Sequence, residues 1–443
     1  MTPIGITLLG CGVVGSGVVR ILNEQRDLLQ RRTGLTFDIR HVVVRNLSKH
    51  EQDASILPLT TDADRAIEDP RTNIVVELIG GTDSAARHIE RALRNGKPVV
   101  TANKSLLAAR GHELFKLARE HDTCIAFEAS CGGGIPIIDS LTRGLLANRI
   151  DALVGIVNGT CNVILTRMTR NGWSYEQALK EAQEKGFAEA DPTLDVSGRD
   201  AAQKLALLAS LAFNVRVAER DLYIEGIDQI QPLDIAFARD LGYVIKLLAI
   251  AQRGAALSTH HSALSLRVHP TLVHQDDVLA EVSGSFNAIS VYGHALGHAS
   301  FHGRGAGQMP TASAVVADLI GVAMGTTPLA FKQLRVFPDT TPPADVQPFE
   351  QLETRYYLRL LAKDVPGVLA EIAEALGRNG ISLSAVLQRE SDAGQHVPVV
   401  ITTHKAREGS MRAALAAINA LQTIQPPAVC LRILDQPKEF DGG

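Results

Sequence analysis

The segment Gly186-Phe187-Ala188-Glu189-Ala190-Asp191-Pro192, continuing through Asp195 and Asp200 to Lys204, sets four carboxylates ahead of one lysine. Asp200 and Lys204 are four residues apart in a run of good helix formers (Ala201, Ala202, Leu205, Ala206, Leu207), so the spacing predicts one helix presenting both on one face. As a helix contact alone, such a pair is worth about 0.2–0.5 kcal/mol. As chemistry, carboxylates suit an ammonium group, and a charged lysine can donate a proton while steadying a developing anion. A second lysine, Lys104 in Thr101-Ala102-Asn103-Lys104, follows an apolar stretch over 98–102 that reads as a strand. In open α/β sheets the carboxyl ends of strands face the ligand crevice.

The elements that must position these groups begin at the N-terminus. The apolar strand Ile4–Leu9 runs into Gly10-Cys11-Gly12-Val13-Val14-Gly15, and a helix is expected over 13–32. This is the Gly-x-Gly-x-x-Gly pattern with a strand before it and a helix after it, the context in which a pyrophosphate meets free N–H groups at a helix start. Strands are expected over 38–44, 74–80, 98–102 and 123–129, with helices over 85–95 and 105–121. That alternation predicts an α/β fold with a Rossmann-type doubly wound parallel sheet. After the second strand stand Arg45, Asn46, Ser48 and Lys49 instead of an acidic residue. That favours NADP(H), with NAD(H) left open.

Glu128 to Pro136 ends the fifth strand in three glycines, a loop able to turn carbonyls towards a ligand or a monovalent cation, or simply a tight turn. Asn158-Gly159-Thr160 is another polar turn before a helix over 163–171. The stretch 243–252 reads as either helix or strand, and 263–268 and 288–292 as strands, together a mixed α/β substrate and oligomerisation domain. Histidines 260, 261, 269, 274, 294, 298 and 302 crowd this region, but Gly293 and Gly297 argue against a helix offering His294 and His298 to zinc. Gly303-Arg304-Gly305-Ala306-Gly307 opens a helix over 311–324 expected to return to the first domain. A proline-rich linker follows. The tail reads as a βαββαβ unit whose helix is expected to be capped by Asp364 and closed by Asn379-Gly380. The expected division is 1–130 (with 303–325), 131–302, a linker over 326–350, and 351–435.

Lys plus Arg (44) nearly balances Asp plus Glu (48), which gives no basic surface for nucleic acid or anionic lipid. No apolar run is long enough for a membrane span, and the N-terminus lacks the pattern of a signal peptide. Five cysteines without paired spacing suit reduced thiols in a cytoplasm.

With these motifs in this order and at these spacings, the chain resembles the homoserine dehydrogenases over nearly its whole length, most specifically across 186–204. The resemblance implies NAD(P)H-dependent reduction of L-aspartate 4-semialdehyde to L-homoserine, in threonine, methionine and isoleucine biosynthesis. By motif it implies Lys204 as the catalytic lysine and Lys104 as its assistant near cofactor and substrate. Glu189 would hold substrate, and Asp195 and Asp200 would hold the ammonium or position Lys204. It also implies Gly10, Cys11, Gly12, Val13, Val14, Gly15, Arg45, Lys104 and Gly305 at the cofactor. Glu128, Cys131, Gly133 and Ile135 would form a monovalent-cation loop, for an ion such as Na+. The Asp364-Val365-Pro366-Gly367 opening of the tail resembles an ACT domain, which implies threonine as a feedback effector, and a homodimer or homotetramer is expected. Two other readings stay open: another Rossmann dehydrogenase of amino-acid metabolism, and a non-enzymatic nucleotide-sensing regulator.

Overall fold

The computed structural model describes residues 3–50, 57–254, 263–388 and 396–435; His260, His261 and the side chain of Lys49 lie outside the described residues. The chain begins with β1 (Ile4–Leu9), α1 (Val13–Glu24), α2 (Arg26–Thr33) and β2 (Phe37–Val43). The helix expected over 13–32 is therefore two. Gln25 leaves helical geometry (φ −106°, ψ 15°), and α2 has no buried residue whose packing would hold it in line with α1. Next come β3 (Leu59–Thr60) and α3 (Ala63–Glu68), both too short to show a periodicity in the sequence. They are followed by β4 (Ile74–Glu77), α4 (Asp83–Arg94), β5 (Val99–Thr101), α5 (Lys104–Glu120) and β6 (Ile125–Ala126). The six strands pair in parallel in the order β3-β2-β1-β4-β5-β6. The order reverses between β1 and β4, the point at which such sheets hold a dinucleotide. The strand expected over 123–129 stops at Ala126, and Glu128–Ser130 turn away as a 3-10 helix.

The middle of the chain contains α6 (Ile137–Asp139), β7 (Ile150–Ile156), α7 (Gly159–Asn171), α8 (Tyr175–Glu184), α9 (Thr193–Val196) and α10 (Arg199–Phe213). It continues through β8 (Tyr223–Ile224), α11 (Pro232–Asp240), β9 (Tyr243–Arg253), β10 (Leu264–His274), β11 (Phe286–Gly293), β12 (Gly297–Arg304), α12 (Gln308–Ala323) and α13 (Thr326–Gln333). The stretch left open between helix and strand is β9, paired antiparallel with β10 along eleven residues. Its residues 245–251 are all buried, so it shows the unbroken apolar run of a strand covered on both faces rather than an alternation. β11 and β12 form a hairpin, which rules out His294 and His298 sharing a helix. Among the described residues no group of three His, Cys, Asp or Glu is placed to hold a metal.

The tail is β13 (Glu353–Lys363), α14 (Val368–Arg378), β14 (Leu383–Gln388), β15 (His396–Thr403), the two-residue β16 (Ala406–Arg407), α15 (Glu408–Asn419) and β17 (Ile424–Ile433). Its core joins Tyr356, Leu358 and Leu360 of β13 to Ile372 and Leu376 of α14 and to Met411, Ala414 and Ile418 of α15. Asp364 does not cap α14. Gly367, at φ 96°, makes the turn into the helix, and the Asp364 carboxylate accepts from Gln388 Nε2 at 3.2 Å instead. Asn379 closes the helix as expected.

Contacts gather the chain into two units. The first, the described residues of Met1–Leu153, Ala201–Leu222 and Ser285–Ala344, contains the parallel sheet. In it α12 lies against α1, where a Cβ on Gly17 would stand 2.9 Å from Ala312 Cβ. The second, the described residues of Val154–Asp200, Tyr223–Gly284 and Asp345–Gly443, contains the run β9-β10-β17-β13-β15-β14, parallel at β10–β17 and antiparallel elsewhere. The proline-rich stretch is pinned rather than loose. In the first unit Asp339 takes Arg119 Nε at 2.6 Å, and Pro343 bridges to Arg216. No single described helix is long and apolar enough to cross a membrane.

Candidate active site

In the first unit, the three glycines of the Gly10–Gly15 loop have different jobs. Gly10 has φ 99°, and a Cβ there would lie 2.9 Å from Leu78 O; a Cβ on Gly15 would sit 2.4 Å from Gly10 O. Gly12 faces nothing within 4 Å, which leaves room for a ligand to approach the backbone at the start of α1, where Val13 and Val14 have unsatisfied N–H groups. A cavity of about 650 Å³ opens here, lined by Gly10, Cys11, Gly12, Arg45, Asp62 and His88 among others. These features fit a nicotinamide dinucleotide. Arg45 is exposed, one residue beyond Val44 at the end of β2, on the cavity wall.

The residue that organises the next loop was not singled out from the sequence. Glu77 is fully buried at the end of β4; its Oε1 accepts from Ile79 and Gly80 N–H (2.9 and 3.0 Å), and its Oε2 from Thr101 Oγ1 (2.7 Å). Only its position at a strand's carboxyl end marked it. Asn103 then caps α5, accepting from Leu106 N–H, while its Nδ2 donates to Gly81 O at 2.8 Å. Lys104 is thereby fixed as the first residue of α5.

Lys204 is brought to the same neighbourhood. Ser105 Oγ donates to Gln203 Oε1 at 2.8 Å, joining the residue after Lys104 to the residue before Lys204. The Cys131 thiol, pushed up to about 11 by burial, feels the positive charges of both lysines, and it lies 3.9 Å from Lys204 O. Two lysines distant in sequence thus both lie near Cys131. Lys204 is half-buried, one turn after Asp200 on α10.

The loop at 128–136 also lies in the first unit. Glu128 points its carboxylate at α6, accepting from Ile138 and Asp139 N–H at 2.8 Å each. Burial pushes the Glu128 carboxyl up to about 7, and the neighbouring Asp318 carboxyl is raised well above the ordinary range by burial and by Glu128. The carboxylate is therefore committed to backbone amides. The expected cation loop therefore has the backbone oxygen of Glu128, rather than its carboxylate, to offer. The protonated Cys131 thiol is no thiolate ligand either, so the loop's hard donors are backbone oxygens. Gly132 and Gly133 are consecutive left-handed residues, and a Cβ on Gly133 would lie 2.5 Å from Gly305 C, so the two glycine-rich loops meet.

The second unit holds the carboxylates. Asn158, missed as a site residue, caps α7 through Oδ1 to Cys161 N–H at 2.8 Å. Its Nδ2 donates to Asp195 Oδ1 (2.7 Å) and Asp200 Oδ2 (2.8 Å), and Thr160 Oγ1 reaches Asp195 Oδ2 at 3.1 Å. The cap preference of Asn before Gly-Thr was the available signal. Glu189 is exposed and forms no ion pair with any described residue.

A dinucleotide loop, a pair of lysines and a clustered set of carboxylates fit a nicotinamide-dependent dehydrogenase with a βαββαβ tail. Residues 10–128 match the model of the homoserine dehydrogenase NAD-binding domain, 136–320 that of homoserine dehydrogenase, and 356–422 that of the ACT domain. The chain is 41% identical to a homoserine dehydrogenase of Pseudomonas aeruginosa over 98% of its length and 99% of the relative's. It is 43% identical to one of Synechocystis over 97% and 99%. A crystal structure of a homoserine dehydrogenase from Thiobacillus denitrificans superposes with a TM-score of 0.91 at 42% identity, covering 98% of this chain and 99% of that one. A hyperthermophilic archaeal homoserine dehydrogenase in complex with NADPH gives 0.62 at 26% identity, over 73% and 98%. The chain belongs to the homoserine dehydrogenase family, NAD(P)-dependent oxidoreductases acting on a CH–OH group.

Proposed function

We propose that the chain reduces L-aspartate 4-semialdehyde to L-homoserine with NADPH preferred over NADH, and that Lys204 donates the proton. The bound cofactor supplies the hydride. The observation that carries the reading is the joining of Lys104 and Lys204 by the Ser105–Gln203 hydrogen bond beside the carboxyl end of β5. Lys204 protonates the alkoxide oxygen formed at the aldehyde carbon, and Lys104 steadies the same developing charge or the substrate carboxylate. Glu189 receives the substrate ammonium. Asp195 and Asp200, held by Asn158, position it or orient Lys204.

Arg45 supports NADP(H), since its guanidinium suits a 2′-phosphate, and the archaeal relative was solved with NADPH. A monovalent cation would take backbone oxygens of Glu128, Cys131, Gly133 and Ile135 and rigidify the loop beside Gly305. Threonine is the proposed effector of the ACT unit, within a homodimer or homotetramer. The chain is read as a dinucleotide domain over 1–130 rejoined by 303–325, a catalytic and oligomerisation domain over 131–302, and a regulatory domain over 351–435. Its five free cysteines suit the cytoplasm. The test is spectrophotometric: L-homoserine oxidation with NADP+ and NAD+, with and without threonine. Lys204→Ala should lower kcat by about 10²–10⁴-fold with NADPH still bound; near-normal turnover removes Lys204 from the mechanism.

A further inference from the structure

Within the second unit, a separate cavity of about 180 Å³ is lined by Ile250 and Gln252 of β9, by Arg267, His269 and Thr271 of β10, and by tail residues including Glu353, Lys405, Arg432 and Asp435. Its charges do not cancel. Arg432 is held by Glu408, with Nε to Oε2 at 3.2 Å, and by Glu225. Lys405 pairs with Asp435 at 3.2 Å, Asp435 also takes Arg355 at 2.8 Å, and Glu353 pairs with Arg407 at 3.2 Å. Arg267 is left over. It is 7% exposed, its guanidinium donates to Ser265 Oγ at 2.7 Å, and among the described residues no carboxylate reaches it.

A second group on the same wall is also unfinished. His269 is 1% exposed; its Nδ1 meets Thr271 Oγ1 at 2.9 Å and Pro270 O at 3.1 Å, while its Nε2 is buried without a partner. Arg267, His269 and Thr271 alternate along β10 and so face the same side of the strand. A buried cation with no carboxylate in hydrogen-bonding contact, only the more distant field of Glu408, and a buried ring nitrogen without a hydrogen bond are each costly. One occupant completes both.

We propose that this cavity binds a compact oxyanion that also carries an N–H or O–H donor, with Arg267 as its charge partner and the neutral His269, whose own proton lies on Nδ1 towards Pro270 O, accepting at Nε2. Burial and the neighbouring Arg432 and Arg267 hold the His269 imidazolium well below its usual range, consistent with a neutral ring. The shared chemistry is a carboxylate or phosphate group, supplied either by a free amino acid or by inorganic phosphate. The cavity touches β9 and β10 as well as β13 and β17 of the tail, so an occupant would bind across strands from both parts of this unit. The inference is independent of the catalytic reading, because none of these residues belongs to it.

The test uses full-length protein saturated with NADP+, so that the dinucleotide loop is already filled. Sodium phosphate and L-threonine are titrated separately at constant ionic strength held with chloride, and binding is followed by calorimetry and thermal unfolding. At least one probe should bind saturably and raise Tm by about 2–4 °C. Phosphate alone would identify the free ion; threonine would identify the amino-acid carboxylate. Arg267→Gln should abolish the shift, and without either probe its Tm should equal or exceed that of the parent, since a buried charge with no carboxylate in contact has gone. Arg267→Lys should keep a weakened shift. No binding of either probe to the parent protein overturns the proposal whatever the variants do. So does an Arg267→Gln variant whose binding is unchanged, or one whose Tm falls equally with and without the probes.

Discussion

Alanine at Gly12 and at Gly15 should separate ligand space from packing space within one loop. Gly12 has φ −81°, which alanine adopts, and a Cβ there meets nothing within 4 Å. Gly12→Ala should therefore fold normally, with stability unchanged or raised by up to about 0.4–1 kcal/mol through the unfolded chain. If the pyrophosphate lies against this backbone, the new methyl occupies its place, and cofactor affinity should fall about 10–100-fold, or roughly 1.4–2.7 kcal/mol. Gly15→Ala behaves in the opposite way. Its Cβ would be 2.4 Å from Gly10 O, a backbone atom that cannot swing aside, so α1 must shift away from β1. An overpacking cost of about 1–3 kcal/mol is expected. The assay is urea denaturation beside fluorescence titration with NADPH. A Gly12→Ala protein that binds NADPH as tightly as the parent would refute the assignment of this surface to the cofactor, and a fully stable Gly15→Ala would refute the packing argument.

Arg45→Asp should lower the ratio of kcat/KM for NADP+ over NAD+ by about 10-fold or more, the size of a lost charge-assisted contact; an unchanged ratio means Arg45 does not reach the 2′-phosphate. Lys246 is 3% exposed, and burial, helped by Arg170, pushes its ammonium down to about 8, against ~10.4 in the unfolded chain. Below pH 8 both states hold the proton and the folded state bears the desolvation cost; between about 8 and 10.4 the unfolded chain holds more protons, so stability rises with pH. Lys246→Met should thus stabilise at pH 7 by on the order of 1–3 kcal/mol, with the gain shrinking above pH 8. Val282 O keeps Asn162 Nδ2 at 3.1 Å as a partner, so denaturation at pH 7 and pH 9.5 reads the charge itself. Arg359→Met leaves Asp234, fully buried and paired to it at 2.6 Å, without its cation, at a cost of about 3–5 kcal/mol. The double variant with Asp234→Leu should recover only part of that loss, because Asp234 also accepts from Gln231 N–H at 3.0 Å and Tyr357 OH at 3.3 Å; a double variant as stable as the parent would deny those two bonds any weight.

The dinucleotide fold was legible because its signals are local. A short apolar strand, glycines at fixed offsets and a following helix are set by backbone sterics over a dozen residues, and the structure returns the expected doubly wound parallel sheet with the unforeseen β3 added at its edge. The helix holding Asp200 and Lys204 was legible for the same reason, as was the βαββαβ tail. Where a short-range signal competed with a neighbour's backbone, the sequence misled. Gly367 displaced the cap expected at Asp364, and Gln25 broke a helix whose second half buries nothing.

What only the tertiary structure decided is the pairing of groups far apart in sequence. Residue spacing put Lys104 at a strand's carboxyl end and Lys204 on a helix, but only packing joined the two segments through Ser105 and Gln203. Spacing likewise supplied Asp195 and Asp200, while their gathering around one amide came from the cap at Asn158. The sequence offered Glu128 as a cation ligand, and the fold used its carboxylate to satisfy the first amides of α6. Arg267 looked like an ordinary strand residue and His269 like one of a crowd of histidines until the burial of β10 removed the water that would have solvated them. Local conformational preference is written in neighbouring residues, whereas desolvation and hydrogen-bond completion depend on what the rest of the chain brings alongside.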